Sequence, residues 1–159
     1  MSPLRQSGFT LIEMIVTIAL VAIIASVATP FYKLQQQREK ERELKNALRE
    51  IRAAIDAYKR AGDEGRIARS FDSTGYPETL DQLVAGVVDQ HDPKSHKIYF
   101  LRRLPSDPMN PASVASPADS WGKRSYASDA DDPREGADVY DVFSRSERKG
   151  INGIPYRAW

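Results

Sequence analysis

Residues 14–31, MIVTIALVAIIASVATPF, carry no charged side chain, and this run limits what the chain can fold into more than any other feature. Counted from Phe9, the apolar stretch reaches the roughly 20 residues that span the hydrocarbon core of a bilayer as a helix. Its one charge is Glu13, at the very start. An ionised carboxylate at the edge of such a span costs several kcal/mol unless it is neutralised or paired. Glu13 therefore reads either as a headgroup-level residue or as a functional one.

A cleaved secretory signal is the rival reading, because Arg5 precedes the apolar run and small residues lie between Ala22 and Thr29. The glutamate, the length of the run and the helical pattern that follows it all weigh against that reading. Beyond the run, Leu44, Ala47, Leu48, Ile51, Ala54, Ile55 and Tyr58 recur three and four apart, as on one face of a helix. That stripe predicts packing against a globular head. Between them, residues 32–43 are strong helix formers without an apolar stripe, which predicts a solvated or intersubunit stretch of the same helix. Its acids Glu39, Glu41 and Glu43 alternate with bases, and such i to i+4 pairs contribute only a few tenths of a kcal/mol. Pro30 lacks a backbone donor and predicts a kink or a melted turn over residues 26–30. The helix is expected to stop near Ala61, with Gly62 as its cap. From Phe9 it would run about 80 Å at roughly 1.5 Å per residue, far beyond one bilayer.

The rest of the chain is polar and dense in turn residues. A loop over residues 63–76 leads to a short helix over 77–85, where proline sits in the first turn and Leu80 and Leu83 face one way. Residues 97–104 read as extended, and 106–120, rich in proline and serine, as a loop. Two strands are predicted at 123–127 and 137–143, paired in one small antiparallel sheet. The fold class is α+β: a long N-terminal helix packed on a small antiparallel-sheet head. Trp121, Tyr126, Tyr140 and Trp159 read as packing residues whose polar tips find partners.

Composition narrows function by exclusion. Charges stand at 23 basic to 22 acidic, and removal of a leader containing Arg5 leaves 22 of each, so no general attraction to nucleic acid is expected. Cysteine is absent, which removes disulfides and thiolate zinc sites. No phosphate-binding glycine loop, HExxH or GxSxG motif occurs. The cluster Asp129, Asp131, Asp132, Glu135 and Asp138 lacks EF-hand spacing and reads as a solvated turn, and His91 and His96 read as surface residues.

The segment SGFTLIEMIVTIALVAIIA resembles the N-terminal signature of type IV pilins and of the pseudopilins of type II secretion systems. The resemblance implies a leader of residues 1–8, cleavage between Gly8 and Phe9 by a membrane-embedded prepilin peptidase, and N-methylation of Phe9. It implies a transmembrane and assembly helix over 9–31 that includes Pro30, a continuation over 32–62, and a periplasmic head over 63–159. Glu13 would pair with the Phe9 amine of a neighbouring copy during assembly. Five bases from Lys33 to Lys45 follow the span and only Arg5 precedes it, so the positive-inside rule alone would place the head inside. Processing at Gly8 requires a cytoplasmic leader, and the expected topology follows the motif: single-pass in the inner membrane, with the head in the periplasm.

In the head, LRRLPSDPMNP, DSWGKRSY and DVYDVFS resemble elements of the major pseudopilins, with Tyr126 one residue later than their pattern. The absence of cysteine favours a pseudopilin over a surface pilin whose head closes with a disulfide. The resemblance also implies calcium in the loop after the last strand. Here that loop is SRSERKGINGIPYRAW, where Glu147 and Asn152 are the remaining oxygen ligands among Arg145, Arg148 and Lys149. A hydrogen bond or salt bridge is the better expectation there. The implied partners are further copies of the chain, minor pseudopilins, the inner-membrane assembly platform and the prepilin peptidase. The alternatives are a subunit of a surface pilus or DNA-uptake pseudopilus and, in another class, a membrane-tethered periplasmic binding protein.

Overall fold

Thr10 begins the longest element. In the computed structural model, which describes residues 8–110 and 116–159 and only the backbone of 27–30, the Glu13 backbone N–H donates to Thr10 Oγ1 at 3.3 Å. This caps α1, Leu11–Asp63, a helix of 53 residues. Residues 1–7, where most of the expected leader falls, and 111–115 lie outside the described residues. The backbone is helical through 26–30, so the expected melted turn is absent.

The chain divides into two compact units, Met1–Glu39 and Lys40–Trp159. In the first, the apolar side chains of α1 stay uncovered: Leu11 is 81% exposed and Ile24 68%. In the second, Leu44, Ile51 and Ile55 are completely buried, with Ala47, Leu48 and Ala54 nearly so. Burying each large aliphatic side chain contributes about 1.5–3 kcal/mol, so this stripe outweighs the surface ion pairs nearby.

The helix ends two residues later than expected, and its cap is Gly65 rather than Gly62. Gly65 takes φ +73°, its N–H donates to Gly62 O at 3.1 Å, and Arg66 N–H donates to Ala61 O at 2.9 Å. This is the Schellman pattern, whose left-handed residue is one that glycine adopts without strain.

The head builds on four short strands. Helix α2, Asp81–Ala85, buries Leu83 beside Leu80 and is shorter than predicted. Strand β1, Val87–Val88, pairs antiparallel with β2, Lys97–Ile98. Beyond β2 the chain leaves the ladder, because Phe100 and Leu101 N–H both donate to Leu83 O, which seats Leu101 in the core. Helix α3, Pro117–Ser120, was expected as loop; Ser116 Oγ caps it by accepting from Ala118 N at 3.2 Å. Strand β3, Trp121–Arg124, pairs with β4, Asp141–Ser144. A 3-10 turn, Tyr156–Ala158, follows near the C-terminus.

Two corrections concern the strands. The expected antiparallel pair is present as β3 with β4, and among the described residues β1 with β2 forms a second, separate sheet that was not expected. The second pair also begins two residues earlier on one side and four later on the other than predicted. Burial decides this register: Trp121 and Val142 are fully buried, and Gly122 faces Phe143. A Cβ on Gly122 would lie 2.2 Å from the Phe143 ring, so the ring occupies the space that glycine leaves.

Asp138, 5% exposed, ties the chain before β4 to distant loops. Burial pushes its carboxyl up. Hydrogen bonds from Thr74 Oγ1, Ser125 Oγ (2.7 Å) and Tyr126 N (2.9 Å) more than reverse this and hold it below the usual carboxylate range. A depressed folded value stabilises above the unfolded one, near 4, and the contribution is lost as pH falls through the folded value. The stability advantage of wild type over Asp138→Asn should therefore be full above about pH 4 and shrink below it. Denaturant unfolding across acid pH checks this, and a pH-independent gap would contradict it.

Candidate functional site: the processing turn and the head that carries it

The first turn of α1 gathers the residues that the motif implies for processing and assembly. Phe9 is 79% exposed. A Cβ on Gly8 would meet nothing within 4 Å, so the packing of this chain does not demand glycine there. Glu13 lies in the first turn, three residues after Thr10, at the N3 position of a T-x-x-E capping sequence. A cut before Phe9 would create an ammonium one residue ahead of the cap, at the positive end of the helix dipole. A carboxylate at N3 offsets that unfavourable placement. The structure thus brings Gly8, Phe9 and Glu13 to one helix end, while the side chain of Pro30 lies outside the described residues. The role of Thr10 was legible in the T-x-x-E spacing, but the sequence reading did not use it.

Two charged side chains fasten the C-terminal half of α1 to the head. Arg52 donates to Asp141 Oδ1 at 2.7 Å, to Val142 O at 3.1 Å and to Trp159 O at 2.9 Å. Glu41 was expected on a solvated surface with Glu39 and Glu43, yet it is buried. Its Oε1 accepts from Ile151 N at 2.8 Å and from Tyr156 OH at 2.9 Å. Helical spacing puts it one turn before Leu44 and two before Leu48, so the stripe that seats the head begins earlier than its apolar members.

The three head motifs converge on one buried knot. Trp121 Nε1 donates to Pro105 O at 2.8 Å, and Asp107 N–H donates to Ser120 Oγ at 3.0 Å. Asp107 accepts from Met109 N at 2.8 Å through Oδ1 and from Ser144 Oγ at 2.6 Å through Oδ2. The LP-x-DP, SWG and DVFS segments are therefore parts of a single hydrogen-bonded fastening. Tyr126, one residue late by pattern, packs with Tyr76 and Tyr140 at ring separations of 5.7 and 5.5 Å. Trp159 departs from expectation: its indole N–H is buried without a hydrogen-bond partner, while Lys45 lies 4.6 Å from the ring centre.

The candidate metal ligands do not converge. Asn152 Oδ1 accepts from Ile154 N at 3.0 Å, and Glu147 is exposed. Asp132 pairs with Arg134 at 2.6 Å, Glu135 with Arg145 at 3.0 Å, and His96 with Asp92. Among the described residues, no three of His, Cys, Asp or Glu come together in a way that could hold a metal.

A helix whose uncovered segment 14–31 carries no charge behind a first turn bearing Glu13, followed by a small α+β head, defines the class of prepilin-like filament subunits. Residues 3–29 match the family described as the prokaryotic N-terminal methylation motif. The chain is similar to type II secretion system core protein G of Pseudomonas aeruginosa, 31% identical over 84% of this chain and 90% of that one. It is also 32% identical to the Aeromonas hydrophila protein of that description over 75% and 78%, and 27% to that of Vibrio cholerae over 72% and 74%. The chain belongs to the type II secretion core protein G family, the major pseudopilins. No solved structure gives a significant match.

The knot predicts a graded loss. Asp107→Ala removes the acceptor of both the Met109 N–H and the Ser144 hydroxyl and should cost about 3 kcal/mol, whereas Ser144→Ala removes the bonds to Asp107 and from Ser146 N but leaves Asp107 tied to Met109 N, and should cost less, about 2 kcal/mol. Chemical denaturation of the two variants checks the order, and equal losses would show that Asp107 does not organise the knot.

Proposed function

We propose that this chain is a structural subunit, without catalytic activity of its own, that polymerises into a periplasmic pseudopilus serving type II protein secretion. The observation that carries this reading is the first turn of α1, where Gly8, an exposed Phe9 and Glu13 in a capped turn precede an uncovered apolar helix of membrane length. A peptidase at the cytoplasmic face cuts between Gly8 and Phe9, and the new amine is methylated. The helix holds the subunit in the inner membrane with the head in the periplasm until assembly.

Glu13 supplies the register. A carboxylate in hydrocarbon is costly alone, as is a buried ammonium, and both are compensated when Glu13 meets the Phe9 amine of the preceding copy. Subunits therefore leave the lipid most favourably in the one stagger that pairs these charges. The partners this reading calls for are other copies of the chain, minor pseudopilins, the inner-membrane assembly platform and the prepilin peptidase. Family membership, and motif-like segments that span the head as well as the helix, favour a secretion pseudopilus over a surface pilus or a simple tether.

Two substitutions separate processing from assembly. Gly8→Ala should leave the leader attached, seen as an unshifted mass and an intact N-terminus. Glu13→Leu should be processed and membrane-inserted yet yield few or no sheared filaments by electron microscopy. Filaments of normal length and number from the Glu13→Leu chain would sink the pairing mechanism while leaving the processing site intact.

A further inference from the structure

The calcium that the family resemblance implies for the loop after β4 does not fit the residues present. Such an ion takes six to eight oxygens, mostly carboxylates and carbonyls. In this head the buried or turn-forming oxygens nearest the loop are engaged by the protein itself. Asn152 Oδ1 is held by Ile154 N, both Asp107 oxygens by Ser144 and Met109, and Glu41 by Ile151 N and Tyr156 OH. The loop's one carboxylate, Glu147, is exposed and stands among Arg145, Arg148 and Lys149, whose charge opposes a cation.

One of these cations bridges the loop to the rest of the head. Arg148 Nη2 donates to the Met109 backbone carbonyl at 2.9 Å and lies 4.0 Å from its sulfur, while Nε lies 3.4 Å from Ser146 Oγ. The Arg148 carbonyl in turn accepts from Tyr156 N at 3.1 Å. Arg148 thus stands where the C-terminal loop, the turn after the LP-x-DP segment and the Tyr156 anchor on α1 meet.

We propose that the Arg148 guanidinium is a built-in cation that closes this loop, so that the head reaches its folded form without calcium. A metal tie depends on free ion concentration and yields to chelators. A guanidinium is covalently present, stays charged at every accessible pH and satisfies a carbonyl with a directional donor. Gly150 fits the same design: its Cβ would fall 2.5 Å from the Trp159 ring and 2.8 Å from Asn152 Oδ1, so the loop is packed closed on its own side chains. The inference concerns the head alone and stands apart from the filament mechanism.

The test uses the full processed chain in detergent micelles, with thermal melts followed by the fluorescence of Trp121 and Trp159 in calcium chloride and in EDTA. The wild-type curves should superimpose. Arg148→Gln should lower the midpoint by about 4 °C or more in both conditions and speed tryptic cleavage at Lys149 and Arg157. Arg148→Lys, which keeps a cation but loses the planar fork, should fall between them and covers the case in which Arg148→Gln does not accumulate. A wild-type midpoint raised by calcium, a calcium-restored Arg148→Gln, or Arg148 variants that melt and digest like wild type would each overturn the proposal.

Discussion

Seating of the head depends on a stripe along the second half of α1, where buried Leu44, Leu48, Ile51 and Ile55 are bracketed by Glu41 on one side and Arg52 on the other. The aliphatic residues supply the larger part of the free energy, at about 1.5–3 kcal/mol for each fully buried side chain. The two charged residues supply direction. Glu41 fixes the loop around Ile151 and Tyr156, and Arg52 fixes β4 and the C-terminal carbonyl. With four strands of two to four residues, the sheets are too short to be stable alone, and the helix is the surface against which they become ordered.

One helix serves two solvents. Its first half leaves the described apolar side chains of the membrane-length segment uncovered, while its second half covers the same kinds of residue with the head. The Thr10 cap contributes here, because it sets the backbone of Glu13 before any neighbouring copy is met.

Much of the head chemistry is fastening. Asp107, Asp138, Glu41 and Arg148 each link segments distant in sequence through several hydrogen bonds, and each does so in a chain without disulfides. Such knots combine burial with directional bonds, and this allows a small irregular head to hold one conformation. Motifs that look like short conserved-style signatures in the sequence are, in space, the two ends of these ties.

The sequence by itself determined the processing turn, the membrane-length run and the seating stripe, because each is written in local spacing: Gly8 before Phe9, Glu13 at the start of an uncharged run, apolar residues three and four apart. It also carried the Thr10 cap and the family of the chain. Only the tertiary structure decided that Glu41 is buried, that Gly65 rather than Gly62 ends the helix, that the strands form two pairs with a shifted register, and that Arg148 reaches Met109. Those outcomes rest on contacts between residues up to about a hundred positions apart, as between Glu41 and Tyr156. Short strands and a loop rich in proline and serine have little intrinsic preference of their own, so packing against the helix chose among their alternatives.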